Sequence, residues 1–144
     1  AQILGQPFSV VIDAIDQVRI KTAMVAFCRG HTRPIVVAGA AGGQIDPTRI
    51  QVSDLSQTIQ DPLLAKVRSM LRKDHGFPRS GGKKFGVPAV FSTEPLRYPS
   101  NSDSCDATAG PSGLNCAGFG SSVCVTSVFG MVAAAQAIDL ILQS

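Results

Sequence analysis

Two carboxylates, Asp13 and Asp16, follow directly on the apolar run Phe8-Ser9-Val10-Val11-Ile12. A short run rich in β-branched residues is the pattern of a strand buried on both faces, so it predicts a central parallel strand with both acids at its carboxyl end. Ligands of open parallel sheets bind beyond that end. Two carboxylates there could share a hard cation or its water shell, as a nucleotide-borne magnesium ion requires. The plainer alternative makes Asp16 the N-cap of the next helix and Asp13 a turn residue.

Other chemistry-bearing residues fall into three groups. Ala38-Gly39-Ala40-Ala41-Gly42-Gly43 follows a second apolar run and could cradle phosphate through backbone N–H groups. No helix is predicted directly after it, so a tight turn, or close approach to a ligand held elsewhere, is the expected use of these glycines. Ser80-Gly81-Gly82-Lys83-Lys84 has half the letters of a P-loop at the wrong spacing, and is not one. Lys66, Arg68, Arg72, Lys73, Arg79, Lys83 and Lys84 fall within 19 residues holding one acid, Asp74, in a chain of net charge +3. Such a patch suits a phosphate backbone; a solvated helix face and loop is the alternative, with Phe77 and Phe85 the only aromatics placed for base stacking.

Cys105 and Cys116 lie in a polar, Gly-rich segment where an exposed thiol could form acyl, persulfide or disulfide links, although no histidine is placed to activate them. Cys28 and Cys124 fall in helical patterns and are expected as small core residues. No CxxC pair occurs, so no zinc site of that kind is expected. His31 and His75 each sit just past a predicted helix, as end caps do.

The elements that must position these residues form an α/β pattern. A helix is expected over 18–29, capped by Asp16, with Ile20, Ala23, Met24 and Phe27 at helical spacing and Gly30 as its stop. Pro34 then leads into the strand 35–39, which completes a βαβ unit with a right-handed crossover. Arg49 to Leu55 alternates like a strand with one exposed face, an antiparallel extension of the sheet. Asp61-Pro62 caps a helix to about Asp74, and Val87 to Phe91 is a further strand. Residues 98–122 read as a long irregular loop. Residues 123–142 are apolar and long enough to span a bilayer, but Gly130, Gln136 and Asp139 suit an Ala-rich core helix better. The expected division is 1–97, 98–122 and 123–144. With 44% hydrophobic and 16% charged residues the chain can bury a core, and nothing at its start reads as a secretory or transit signal, which suggests the cytoplasm.

Val11-Ile12-Asp13-Ala14-Ile15-Asp16, followed by Val18-Arg19 and Lys21, resembles the second half of the adenylation domain in the ubiquitin-activating-enzyme-like superfamily, the ThiF, MoeB and HesA group. The continuation is more specific: Ala38 to Thr48, then Thr58-Ile59-Gln60-Asp61-Pro62-Leu63, then Val90-Phe91-Ser92-Thr93-Glu94, resembles the dehydratases that act on threonylcarbamoyladenosine in tRNA. The likeness continues through Cys116-Ala117-Gly118-Phe119-Gly120 into the last helix.

This resemblance implies the C-terminal part of a Rossmann-like fold, with parallel strands, an antiparallel extension and a long C-terminal helix. It implies ATP and magnesium as cofactors, adenylation of a carboxylate, a homodimer, and no DNA or membrane partner. Asp16 would face the ATP phosphates and hold the magnesium, with Asp13 as its catalytic support and Lys21 also binding the cofactor. The basic segment would face tRNA. In that group a Gly-rich loop, a ribose-binding acid and phosphate-contacting Arg and Lys precede the Asp13 strand, so the resemblance implies part of a longer enzyme, inactive alone. One rival keeps the fold and activates a ubiquitin-like sulfur carrier, passing sulfur through Cys105 or Cys116 within a cysteine desulfurase system; the missing CxxC pairs count against it. Another is a non-catalytic dimerisation or RNA-docking module. Membrane association through the last helix is a further alternative for location.

Overall fold

The computed structural model describes residues 8–79, 82–97 and 120–143. Its sheet has four strands: β1 (Val11–Asp13), β2 (Ile35–Ala38), β3 (Ile50–Asp54) and β4 (Pro88–Ser92). They lie in the order β1-β2-β4-β3, with β1, β2 and β4 parallel and β3 antiparallel to β4. Helix α1 (Val18–Gly30) links β1 to β2, α2 (Pro62–Asp74) precedes β4, and α3 (Val123–Leu142) closes the described chain.

Period-two alternation sorts the strands into two cores. Ile35 and Val37 of β2, with Ala89 and Phe91 of β4, face α1 and α2, where they meet Val25, Leu64 and Leu71. Val36 and Val90 point the other way and carry α3 through Val125, Phe129, Ala133 and Ala137. The sheet is thus the middle of three layers.

Two expectations are corrected by this arrangement. The first strand is not buried on both faces: among the described residues β1 lies at the edge of the sheet, Ile12 is 46% exposed, and β2 takes the position flanked by strands on both sides. Nor is α3 a buried helix. Its packed residues recur every four positions and form one stripe, while Met131 at 75% and Ile138 at 57% exposure lie on the open side. The helix is long and apolar enough to cross a membrane, with mean hydropathy 1.8, yet here it lies on the sheet. Cys124 is exposed near its start, contrary to expectation, whereas Cys28 is buried and burial pushes its thiol up.

Helix starts divide in the same way. Asp61 caps α2 as expected, its Oδ1 accepting the Leu64 N–H at 2.9 Å with Pro62 in the first turn. At α1 the N-cap position falls on Gln17 and not on the expected Asp16, and the Gln17 side chain makes no capping hydrogen bond. His31 and His75 are the C-caps of α1 and α2.

Asp54, at the end of β3, accepts four backbone N–H groups. Its Oδ1 accepts the N–H groups of Ser56 and Phe85, each at 2.9 Å, and its Oδ2 those of Gly86 at 2.7 Å and Val87 at 3.2 Å. Burial pushes this carboxyl up, but the donated hydrogen bonds outweigh burial and hold it below the usual range. The stabilisation is therefore fully present above the unfolded-state pKa of about 3.9 and is lost as pH falls below it. Asp54→Ala should lower stability by about 3 kcal/mol or more, because several backbone donors lose a charged acceptor. Urea unfolding at neutral pH measures this, and the deficit should shrink in acid.

Candidate functional site

Beyond the carboxyl ends of β1 and β2 lies a cavity of about 340 Å³. Its walls are Asp16 after β1, the 38–42 backbone after β2, Pro62 and Leu63 at the start of α2, and Phe129 and Ala133 of α3. All three layers thus contribute, which is the placement expected for a ligand in an open parallel sheet. Asp16 is exposed on the cavity wall.

Behind that wall sits a buried ionic group. Lys21 projects from the first turns of α1 and is 0% exposed. Its Nζ donates to Ala38 O at 2.9 Å and Asp13 O at 3.2 Å, and lies 3.1 Å from Asp13 Oδ2. Two of the ammonium's three donors thus meet carbonyl oxygens, and its contact with Asp13 Oδ2 is an ion pair without hydrogen-bond geometry. Asp13 Oδ1 accepts the Ile15 N–H at 2.9 Å. Burial lowers the Lys21 pKa, and Asp13, then Asp61 and Asp16, oppose that shift.

Asp61 extends the group to the glycine loop. Besides capping α2, it accepts the Ala40 N–H at 2.9 Å through Oδ2. Burial pushes its carboxyl up, while the N–H groups of Leu64 and Ala40 pull it back. A Cβ on Gly39 would lie 2.0 Å from Asp61 Oδ2, so glycine is required for this close approach. Glu94, buried two residues before the cavity-lining Leu96, accepts the N–H groups of Ile45 at 2.9 Å and Asp46 at 2.8 Å and binds Arg97 at 3.1 Å. Those donors, Asp46 first, hold its carboxyl below the usual range.

The structure therefore separates residues that the sequence placed together. Asp16 is on the cavity. Asp13 and Lys21 are behind it: the Asp13 carboxylate contacts Lys21 and the Ile15 N–H, and Lys21 staples the ends of β1 and β2. Among the described residues no three His, Cys, Asp or Glu side chains converge as a metal cage. The second role of Asp61 and the requirement for Gly39 were not legible; the Asp-Pro pair announced only the helix cap.

The basic run also divides. Arg68, Arg72, Lys73 and Arg79 line one groove on the outer side of α2. Lys84 lines a different cavity beside Arg29, and Lys66 and Lys83 are exposed on neither wall. Arg68 donates to Thr58 Oγ1, and Arg72 donates to Pro78 O at 3.2 Å while lying 5.3 Å over the Phe85 ring. Cys105 and Cys116, with most of the 98–122 segment, lie outside the described residues.

No family model matches the sequence. Curated proteins do. The chain is 47% identical over 141 residues to the tRNA threonylcarbamoyladenosine dehydratase of Haemophilus influenzae, covering 97% of this chain and 53% of that protein. It is 52% identical over 143 residues to the enzyme of the same name from Escherichia coli, again covering 53% of that protein. Among solved structures, the E. coli enzyme TcdA in complex with ATP superposes with a TM-score of 0.82 at 45% identity, over 99% of this chain and 51% of that one. Its complex with AMP gives the same TM-score, 0.82. The chain spans about half the length of the curated relatives it matches.

Proposed function

We propose that this chain, a relative of the tRNA threonylcarbamoyladenosine dehydratases over nearly its whole length, supplies part of a site that uses ATP to cyclise threonylcarbamoyladenosine in tRNA. One observation carries the reading. Asp16 lines a 340 Å³ cavity at the strand ends, in a fold that matches an ATP complex with a TM-score of 0.82.

In the proposed reaction the threonyl carboxylate attacks the α-phosphorus of ATP, forming an acyl-adenylate as the bond to pyrophosphate breaks. A nucleophile within the same substrate then attacks the acyl carbon, AMP leaves, and the ring closes with net loss of water. Intramolecular attack proceeds at high effective molarity, so no cysteine is needed. This chain's residues orient and shield. Asp16 faces the phosphates. The Lys21–Asp13 staple and Asp61 fix the 38–40 backbone that walls the cavity, and Phe129 limits water on the α3 side.

Magnesium fits this donor set as an ion carried by the nucleotide, since it is commonly held by one or two carboxylates together with phosphates and water. Asp16 would be its protein ligand, and the ion's contribution would be to neutralise charge on the departing pyrophosphate. The working enzyme, in this reading, is a cytoplasmic homodimer, and it is longer than this chain, which spans about half the length of its curated relatives. The free edge of β1 and the apolar open side of α3 are surfaces for the additional polypeptide to cover.

The test uses a protein of the relatives' full length containing this sequence. With ATP, magnesium and tRNA bearing threonylcarbamoyladenosine it should release pyrophosphate and yield a nucleoside lighter by one water. The 144-residue chain alone should not. Pyrophosphate release that depends on a small carrier protein instead of tRNA would overturn the reading in favour of sulfur-carrier activation.

A further inference from the structure

The candidate cavity does not end at α2. Pro62 and Leu96 on its wall are also walls of a second cavity of about 440 Å³, which Gln60 and Arg68 complete. Ala65 and Arg68 of that second cavity are in turn walls of the basic groove formed with Arg72, Lys73 and Arg79. Three openings with shared walls therefore make one path over the outer face of α2, from the groove to Asp16. Pro62, Ala65, Arg68 and Arg72 mark it at spacings of three and four residues, so they form a single stripe. From Pro62 to Arg72 the helix rises about 15 Å.

Arg68 stands at the junction. Thr58 Oγ1 holds one edge of its guanidinium, and no carboxylate lies within ion-pair distance of it among the described residues. Arg72 is held similarly, by Pro78 O and the Phe85 ring. A guanidinium fixed on one edge presents its remaining donors without further ordering, which suits phosphate oxygens. Between the groove and Asp16 the path passes Asp61, which turns its oxygens inward to Ala40 and Leu64.

We infer that this path carries a single RNA strand, with Arg68 contacting a phosphate that flanks the reacting nucleotide and so positioning that nucleotide in the cavity with Asp16. The inference rests on the tRNA reading above and adds the route, the order of contacts and the role of Arg68.

The experiment compares the full-length protein with its Arg68→Ala and Arg68→Lys variants, using an RNA stem-loop that carries threonylcarbamoyladenosine. Arg68→Ala should raise the KM for RNA about tenfold with a much smaller change in kcat, and should reduce the slope of log K against log salt by about one. Arg68→Lys keeps the charge, so it should restore the salt slope and serve as the folding control. If the parent protein converts the stem-loop and Arg68→Ala leaves both KM and salt slope unchanged, the path is wrong while the tRNA reading stands. If the parent protein neither binds nor converts the RNA, both fall. An equal loss in KM for ATP would overturn the path too, since it would place Arg68 on the nucleotide.

Discussion

Lys21→Met is expected to lower stability by about 3–5 kcal/mol, the usual consequence of removing one partner from a buried ion pair. Methionine fills the aliphatic volume of the lysine stem but has no donor to offer. The Asp13 carboxylate and the carbonyls of Asp13 and Ala38 would then face a wall without N–H groups. An orphaned buried acceptor pays its full desolvation penalty, and a carboxylate more than a carbonyl. The double variant Lys21→Met with Asp13→Leu should recover part of the loss, because it removes the charge that was stranded. Urea midpoints of the two singles and the double would measure this coupling. Additive losses would show that Lys21 and Asp13 act separately and would sink the description of a staple.

That staple also marks where sequence reading ends. Local signals were reliable: Asp61-Pro62 announced the start of α2, the alternation from Arg49 to Leu55 announced β3, and the apolar runs on either side of α1 announced a parallel pair. Its place just past the first apolar run also put Asp16 at the carboxyl edge of the sheet, where the cavity lies. What failed depended on neighbours distant in the chain. The run before Asp13 looks buried on both faces, but the exposure of Ile12 depends on which elements cover β1. Helix α3 is apolar all round, so no contrast around its circumference revealed which side packs. Lys21 carries no signal of its own, because one of its acceptors is the carbonyl of Ala38, 17 residues away. The basic run reads as one patch, yet α2 and the 82–84 turn end on different surfaces, so Lys84 parts from Arg68.

Asp16→Ala, in a protein of the relatives' full length, should reduce adenylation by roughly 100- to 1,000-fold, the range seen when one preorganised electrostatic group is removed from a reacting phosphate or oxyanion. The fold should tolerate the change. Asp16 is exposed, and exposed substitutions usually shift stability far less than buried ones. Asp16→Asn separates charge from shape: if the carboxylate works through its negative charge on a nucleotide-borne cation, the amide should lose nearly as much as alanine. Asp13→Asn should behave differently. It leaves Lys21 buried beside a neutral partner, so it should lower the unfolding midpoint as well as the rate, whereas Asp16→Asn lowers the rate alone. Pyrophosphate release and thermal unfolding, measured together on the three variants, distinguish the residue that faces the reaction from the one that holds its wall. Full activity in Asp16→Ala would remove the one carboxylate on which the proposed site depends.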